Sequence, residues 1–155
     1  MANLYKKGMS LVELLIVFAV MSIIFLIVMP QFSKIRESAV LKTTVGDTMS
    51  AINKAKNNTL SSLNSSEYGV HFQSDRVIIF KGKIFSVGAL GNETININTP
   101  ATISNVTLGG VSGTSGDVYF NRILGVPSTT GSITISTSSF SKIITIYPTG
   151  GVSSN

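Results

Sequence analysis

The chain has 155 residues, 43% of them apolar and only 12% charged, with 12 Lys and Arg against 7 Asp and Glu for a net charge of +5. That length suits one domain, or one domain plus a long helix, and the balance argues against long disorder. There is no Cys and a single His, His71, so disulfides, thiol catalysis, Cys-based zinc and multi-His metal sites are all excluded.

The sequence opens on MANLYKKG, a short basic stretch without acids. Residues 9–29 are then apolar apart from Ser10, Glu13 and Ser22, and residues 14–29 carry no charge. As a helix this run measures roughly 31 Å at about 1.5 Å per residue. A bilayer's hydrocarbon core is about 30 Å thick, so the run is predicted to span a membrane. Lys6 and Lys7 on its N-terminal side predict that end to be cytoplasmic.

Pro30 closes the apolar run. It has no backbone N–H, so it is expected to kink or loosen a helix that continues through it. Continuation is expected: Phe32, Ile35, Ala39, Val45, Met49, Ile52 and Leu63 recur near multiples of 3.6 with most charges between them. That spacing predicts a solvent-facing amphipathic helix to about Leu60.

From about Tyr68 the period shortens. Residues 76–81 and 83–87 flank Gly82 and read as a hairpin. Residues 94–98 and 132–136 alternate strictly, and 101–108, 117–122 and 142–147 are further strand candidates. Gly, Pro, Asn and Ser clusters separate them. About seven short strands at this spacing predict an antiparallel sheet or small sandwich.

At the chain start, a Gly (Gly8) follows basic residues, an apolar run begins directly after it, and a lone carboxylate (Glu13) stands five residues into that run. A secretory signal would place its cleavage site after the apolar core; here the breakpoint precedes it. The stretch Lys7-Gly8-Met9-Ser10-Leu11-Val12-Glu13-Leu14-Leu15 closely resembles the class III signal of type IV pilins and type II secretion pseudopilins. The resemblance implies cleavage after Gly8 by a prepilin peptidase and N-methylation of Met9. Loss of eight residues would leave a mature chain of 147. It also implies that Pro30 is the family's helix-breaking proline. Further implied is an α+β fold, with a long N-terminal helix packed on an antiparallel β-rich head. The expected segments are a leader at 1–8, a transmembrane and filament-core helix at 9–29, an amphipathic helix at 30–63 and a head at 64–155.

Glu13 has a physical rationale within that resemblance. A carboxylate inside hydrocarbon costs several kcal/mol unless it is near an interface, protonated or paired. The family supplies the partner: the terminal amine of Met9 on a neighbouring subunit. A slipped subunit would bury both charges unpaired, at about 3–5 kcal/mol, so the pair would set the axial register.

The C-terminal part, Val118-Tyr119-Phe120 through Gly125-Val126-Pro127, then 131–136, 143–147 and Gly150-Gly151, resembles GspH/FimT-type minor pilins and pseudopilins. Some FimT-type proteins bind DNA through basic residues after the final Gly. Here the tail Gly150-Gly151-Val152-Ser153-Ser154-Asn155 has no Lys or Arg, so phosphate contacts lack their cations there. Arg122, Lys142, Lys81 and Lys83 read as scattered solubilising charges, and nucleic acid is not an expected partner.

His71 reads as a packed or surface histidine, and Asp75-Arg76 as a turn before a strand. Asp117 alone supplies too few oxygens for calcium. Asn57, Asn64, Asn92 and Asn105 sit in short Asn-x-Ser/Thr sequons, which are common by chance in such a chain. No nucleophile elbow, phosphate loop or paired carboxylates occur, and the Gly-rich 109–116 lacks the Lys a phosphate loop needs. The expectation is a structural protein and not an enzyme, with no cofactor and no metal. It would be a minor pilin or pseudopilin of a type IV pilus or a type II secretion pseudopilus. A major pilin and a FimT-like DNA-binding competence pilin are the alternatives. Expected partners are the prepilin peptidase, other pilin or pseudopilin subunits, the inner-membrane assembly platform, and the bilayer before assembly. The expected location is the bacterial inner membrane as a single-pass protein, then a periplasmic or extracellular filament.

Overall fold

The computed structural model of the protein describes residues 8–155. The basic residues Lys6 and Lys7, and with them most of the expected leader, lie outside the described residues. The chain divides into two units, Met1–Arg36 and Glu37–Asn155, and one helix, α1 (Leu11–Leu60), contributes to both. The helical assignment continues through Pro30.

From Leu14 to Met29, α1 is apolar on every side apart from Ser22. The large apolar side chains from Met9 to Met29 are 40–76% exposed. Ser22 satisfies its hydroxyl locally by donating to the Phe18 carbonyl at 2.8 Å, which removes one polar obstacle to an apolar environment.

In the second unit α1 buries Glu37, Leu41, Thr44, Val45, Thr48, Ala51, Ile52, Ala55 and Thr59. Steps of three and four residues put these on one face. The face therefore differs from the one read off the sequence. Phe32 and Ile35 are 67% and 65% exposed, and Leu63 lies beyond the helix in a short 3-10 turn, Leu63–Ser65. The sequence template counted large apolar side chains and passed over threonine. Here Thr48 donates to the Thr44 carbonyl at 2.8 Å and Thr59 to the Ala55 carbonyl at 2.9 Å. With their hydroxyls satisfied inside the helix, small Thr and Ala side chains allow close approach to a sheet at little polar cost.

Two antiparallel sheets complete this unit. The four-stranded sheet has the order β3-β2-β1-β6, with β1 at Tyr68–Phe72, β2 at Arg76–Lys81, β3 at Glu93–Asn96 and β6 at Gly116–Tyr119. The five-stranded sheet has the order β5-β4-β7-β8-β9. Its strands are β4 (Thr102–Leu108), β5 (Val111–Gly113), β7 (Gly131–Ser136), β8 (Ser141–Ile146) and β9 (Val152–Ser154). Val70, Phe72, Val77, Ile79 and Val118 from one sheet meet Ile103, Val106, Ile133, Ile135, Ile144 and Ile146 from the other. Leu41, Val45, Ile52 and Ala55 of α1 join the same core. The molecule is thus α+β with a pilin-like architecture, a long N-terminal helix with antiparallel sheets packed on its C-terminal part.

The expected hairpin about Gly82 does not form. β2 pairs with β1, Tyr68 opposite Lys81 through Phe72 opposite Val77, and on its other edge with β3. Residues 83–87 are irregular, and Ile84 and Val87 are 84% and 85% exposed. The order of the sheet explains the difference: with β1 and β3 on its two edges, β2 has no free edge for 83–87 to pair with.

Candidate functional site

The N-terminal segment carries most of the residues singled out by sequence. Ser10 precedes α1 and caps it: its Oγ accepts the Glu13 N–H at 3.4 Å and its carbonyl accepts the Leu14 N–H at 3.2 Å. Ser10-x-x-Glu13 has the capping-box spacing, a signal that the apolar periodicity had hidden. Glu13 falls in the first turn, where the positive end of the helix dipole favours a carboxylate. Met9 is 64% exposed and Glu13 is exposed. Among the described residues, a side chain added at Gly8 would meet nothing within 4 Å. The packing of the fold therefore does not require glycine at this position.

α1 is long and apolar enough to cross a membrane. Its Pro30 lies at the end of the apolar stretch, where the missing N–H leaves one helical carbonyl without its usual donor.

The second unit separates the cations considered for a phosphate surface. Lys81 ends β2, and Lys83 follows it with its ammonium 3.8 Å from Glu67 and 5.9 Å from the centre of the Tyr119 ring. Arg122 lines a surface cavity of about 620 Å³ together with Ser62, Glu67, Asn121, Ile123 and Leu124. Lys142 belongs to β8 of the other sheet. The acid Glu67 thus stands by Lys83 and in the cavity of Arg122.

Four other placements refine the sequence reading. Asp75 and Arg76, the first residue of β2, form an ion pair at 2.6 Å, and the hydrogen bond from Arg76 holds the Asp75 carboxyl below its ordinary value. Asp117 on β6 pairs with Nδ1 of His71 on β1. Asn64, Asn92 and Asn105 donate their side-chain amides to the Tyr68 hydroxyl, the Ser86 carbonyl and the Thr107 hydroxyl, while Asn57 lies within α1. Glu37, which sequence reading passed over, accepts the Ser139 N–H at 3.1 Å and the Ser138 hydroxyl at 3.0 Å. Hydrogen bonds from Ser139, and then Ser138, outweigh burial and lower its carboxyl below the usual range. An acid a hundred residues from its partners leaves no local sequence signal.

Among the described residues there is no cluster of three or more His, Cys, Asp or Glu placed to hold a metal ion. Residues 3–29 match the prokaryotic N-terminal methylation motif, the type IV pilin signal. No curated protein and no solved structure matches the chain significantly. The motif supports a type IV pilin-like subunit. With the apolar helix behind it, it fits a protein anchored in the inner membrane.

Proposed function

We propose that the protein is a structural subunit, a minor pilin or pseudopilin, of a type IV pilus or type II secretion pseudopilus. The prepilin peptidase cuts after Gly8 and Met9 is N-methylated. Residues 1–8 are the leader, 9–29 the membrane anchor and later the filament core, 30–63 the amphipathic helix and 64–155 the displayed head. Pro30 loosens the helix where the anchor ends. The partners are the peptidase, the inner-membrane assembly platform and other pilin-like subunits.

The observation that carries this reading is the methylation motif at 3–29, with the large apolar side chains of the helix up to Met29 uncovered. Side chains of this kind gain about 1.5–3 kcal/mol each when fully buried, so they belong in lipid or among like helices. Cleavage after Gly8 creates an amine at Met9, one residue before the Ser10 cap. Methylation keeps that amine cationic. In a dry bundle of helices the amine of one subunit neutralises Glu13 of the next, and a subunit out of register leaves about 3–5 kcal/mol of unpaired charge. The test is Glu13→Ala in cells that build the filament. Normal processing with at least a tenfold fall in sheared fibres is expected, since one unmet charge exceeds the roughly 1.4 kcal/mol that a factor of ten requires. Wild-type recovery in fibres would overturn the role of Glu13.

A further inference from the structure

The five-stranded sheet turns one face to the core and the other to solvent. Ile103, Val106, Ile133, Ile135, Ile144 and Ile146 belong to the core, so their neighbours along each strand point outward. The cross-strand register lines those outward residues up. One row runs Ser112, Thr107, Ser132, Thr145 and Ser153 across all five strands. A second runs Asn105, Thr134 and Ile143, and a third Thr102, Ser136 and Ser141. None of these residues is buried. With about 4.8 Å between strands the first row is roughly 19 Å long, and successive rows lie about 7 Å apart.

No side chain in these rows is charged. The five strands hold a single charged residue, Lys142, and it lies opposite inward-facing Ile135. In a chain with 12 Lys and Arg and 7 Asp and Glu, the charges are therefore gathered elsewhere. The ends of the first row are held in place. The Thr107 and Ser112 hydroxyls share a hydrogen bond at 3.0 Å, and the Asn105 amide donates to the Thr107 hydroxyl at 3.1 Å. At the other end Ser153 shares one with the Tyr147 hydroxyl at 3.1 Å. Tyr147 and Ile143 are half exposed, at 46% and 45%. The face thus combines positioned hydroxyls with one aromatic and one aliphatic surface.

That chemistry discriminates between partners. Nucleic acid requires cations, an anionic membrane requires basic or broad apolar surface, and a hard cation requires carboxylates. The centre of a protein–protein interface is apolar and depleted in Ser. A neutral sugar chain meets what this face offers. Sugar hydroxyls donate and accept, as Ser and Thr hydroxyls do, and the C–H faces of sugar rings pack on aromatic and aliphatic side chains. Dehydrating such a face costs far less than dehydrating a charged one.

We propose that the outer face of the five-stranded sheet binds a neutral polysaccharide. The row from Ser112 to Ser153 meets the hydroxyls of the chain, and Tyr147 and Ile143 meet its sugar rings. The row is long enough for several sugar units, so contacts that are weak singly add along it. This binding belongs to the head and is separate from assembly through α1.

The test is nuclear magnetic resonance of the full chain in sugar-free zwitterionic detergent micelles, titrated with neutral hexasaccharides of glucose, mannose and N-acetylglucosamine. Amide shifts on β4, β7 and β8 are expected with at least one of them. Affinity is expected to stay within about twofold when sodium chloride is raised about tenfold, because no ion pair is involved. Thr145→Val keeps the side-chain shape and is expected to weaken binding about three- to tenfold, and Tyr147→Ala at least as much. Ser86→Ala, which removes a hydroxyl outside the sheet, is expected to bind as wild type. Near-ultraviolet circular dichroism checks that each variant is folded. No shift with any of the three sugars overturns the proposal. So does binding that falls with salt, or wild-type affinity in both Thr145→Val and Tyr147→Ala. Shifts on the face that follow protein concentration instead of sugar also overturn it, since they mark a second copy of the chain as the occupant.

Discussion

Replacing Thr59 by Val keeps the shape of the side chain and removes its oxygen. Thr59 is fully buried. Its hydroxyl donates to the Ala55 carbonyl at 2.9 Å and accepts the Tyr68 N–H at 2.8 Å, tying the end of α1 to the first residue of β1. Valine leaves the Ala55 carbonyl its ordinary helical donor but strips the Tyr68 N–H of its partner. A buried donor left unsatisfied costs about 1–3 kcal/mol. For a unit of the size of Glu37–Asn155, each kcal/mol lowers Tm by about 4 °C, so a drop of about 4–12 °C is expected. The assay is thermal unfolding of the full chain in detergent micelles, followed by the near-ultraviolet circular dichroism of its tyrosines. Thr59→Ser keeps the oxygen and loses one methyl, at about 0.8 kcal/mol, so it should fall clearly less than Thr59→Val. A Thr59→Val protein within about 2 °C of wild type, or a Thr59→Ser protein equally destabilised, would refute the link between helix end and strand start.

Glu37 gives the head an acid-sensitive contact. Its carboxyl is lowered by Ser139 and Ser138, so it adds stability that is complete above the ordinary carboxylate range and is lost as pH falls through the lowered folded value. Glu37→Gln should flatten that part of the pH–stability curve below about pH 4.5, and an unchanged acid limb would count against the contact. Gly131 opens β7 with Leu108 Cα 2.9 Å from where a Cβ would stand, and the obstruction is backbone. Gly131→Ala should therefore cost about 1–3 kcal/mol, read as a lower unfolding temperature; a neutral effect would show that β4 and β7 can separate freely.

The methylation signal was legible because it is local. Gly8, the apolar run and Glu13 lie within a few residues of one another, and membrane-scale apolarity needs no partner to be read. Strand β7 was legible for a similar reason, since Ile133 and Ile135 alternate with Ser132, Thr134 and Ser136 along it. β1 was harder. Tyr68–Phe72 is buried at all five positions, because one of its faces meets the core and the other is covered at His71 by the Phe85 ring, so it shows no alternation. That same double burial misled the pairing of β2. Gly82 flanked by apolar residues looks like a hairpin turn, and only the fold reveals that Phe85 is spent on His71. β5 and β9 have three residues each, too few for a period. The buried face of α1 was blurred by Thr44, Thr48 and Thr59; the hydroxyls of Thr48 and Thr59 are satisfied by helix carbonyls, which lets them serve as core. Glu37, Asp117 and the orphaned Nε2 of His71 depend on contacts distant in sequence.

The most direct measurement is mass spectrometry of the protein isolated from its native cells, with fragmentation of its N-terminus. A chain that begins at an N-methylated Met9, eight residues shorter than the 155 encoded, is the expected result. A chain that still carries the residues from Met1 to Gly8, with an unmodified Met9, would contradict processing, and with it assembly through the Met9 amine and Glu13.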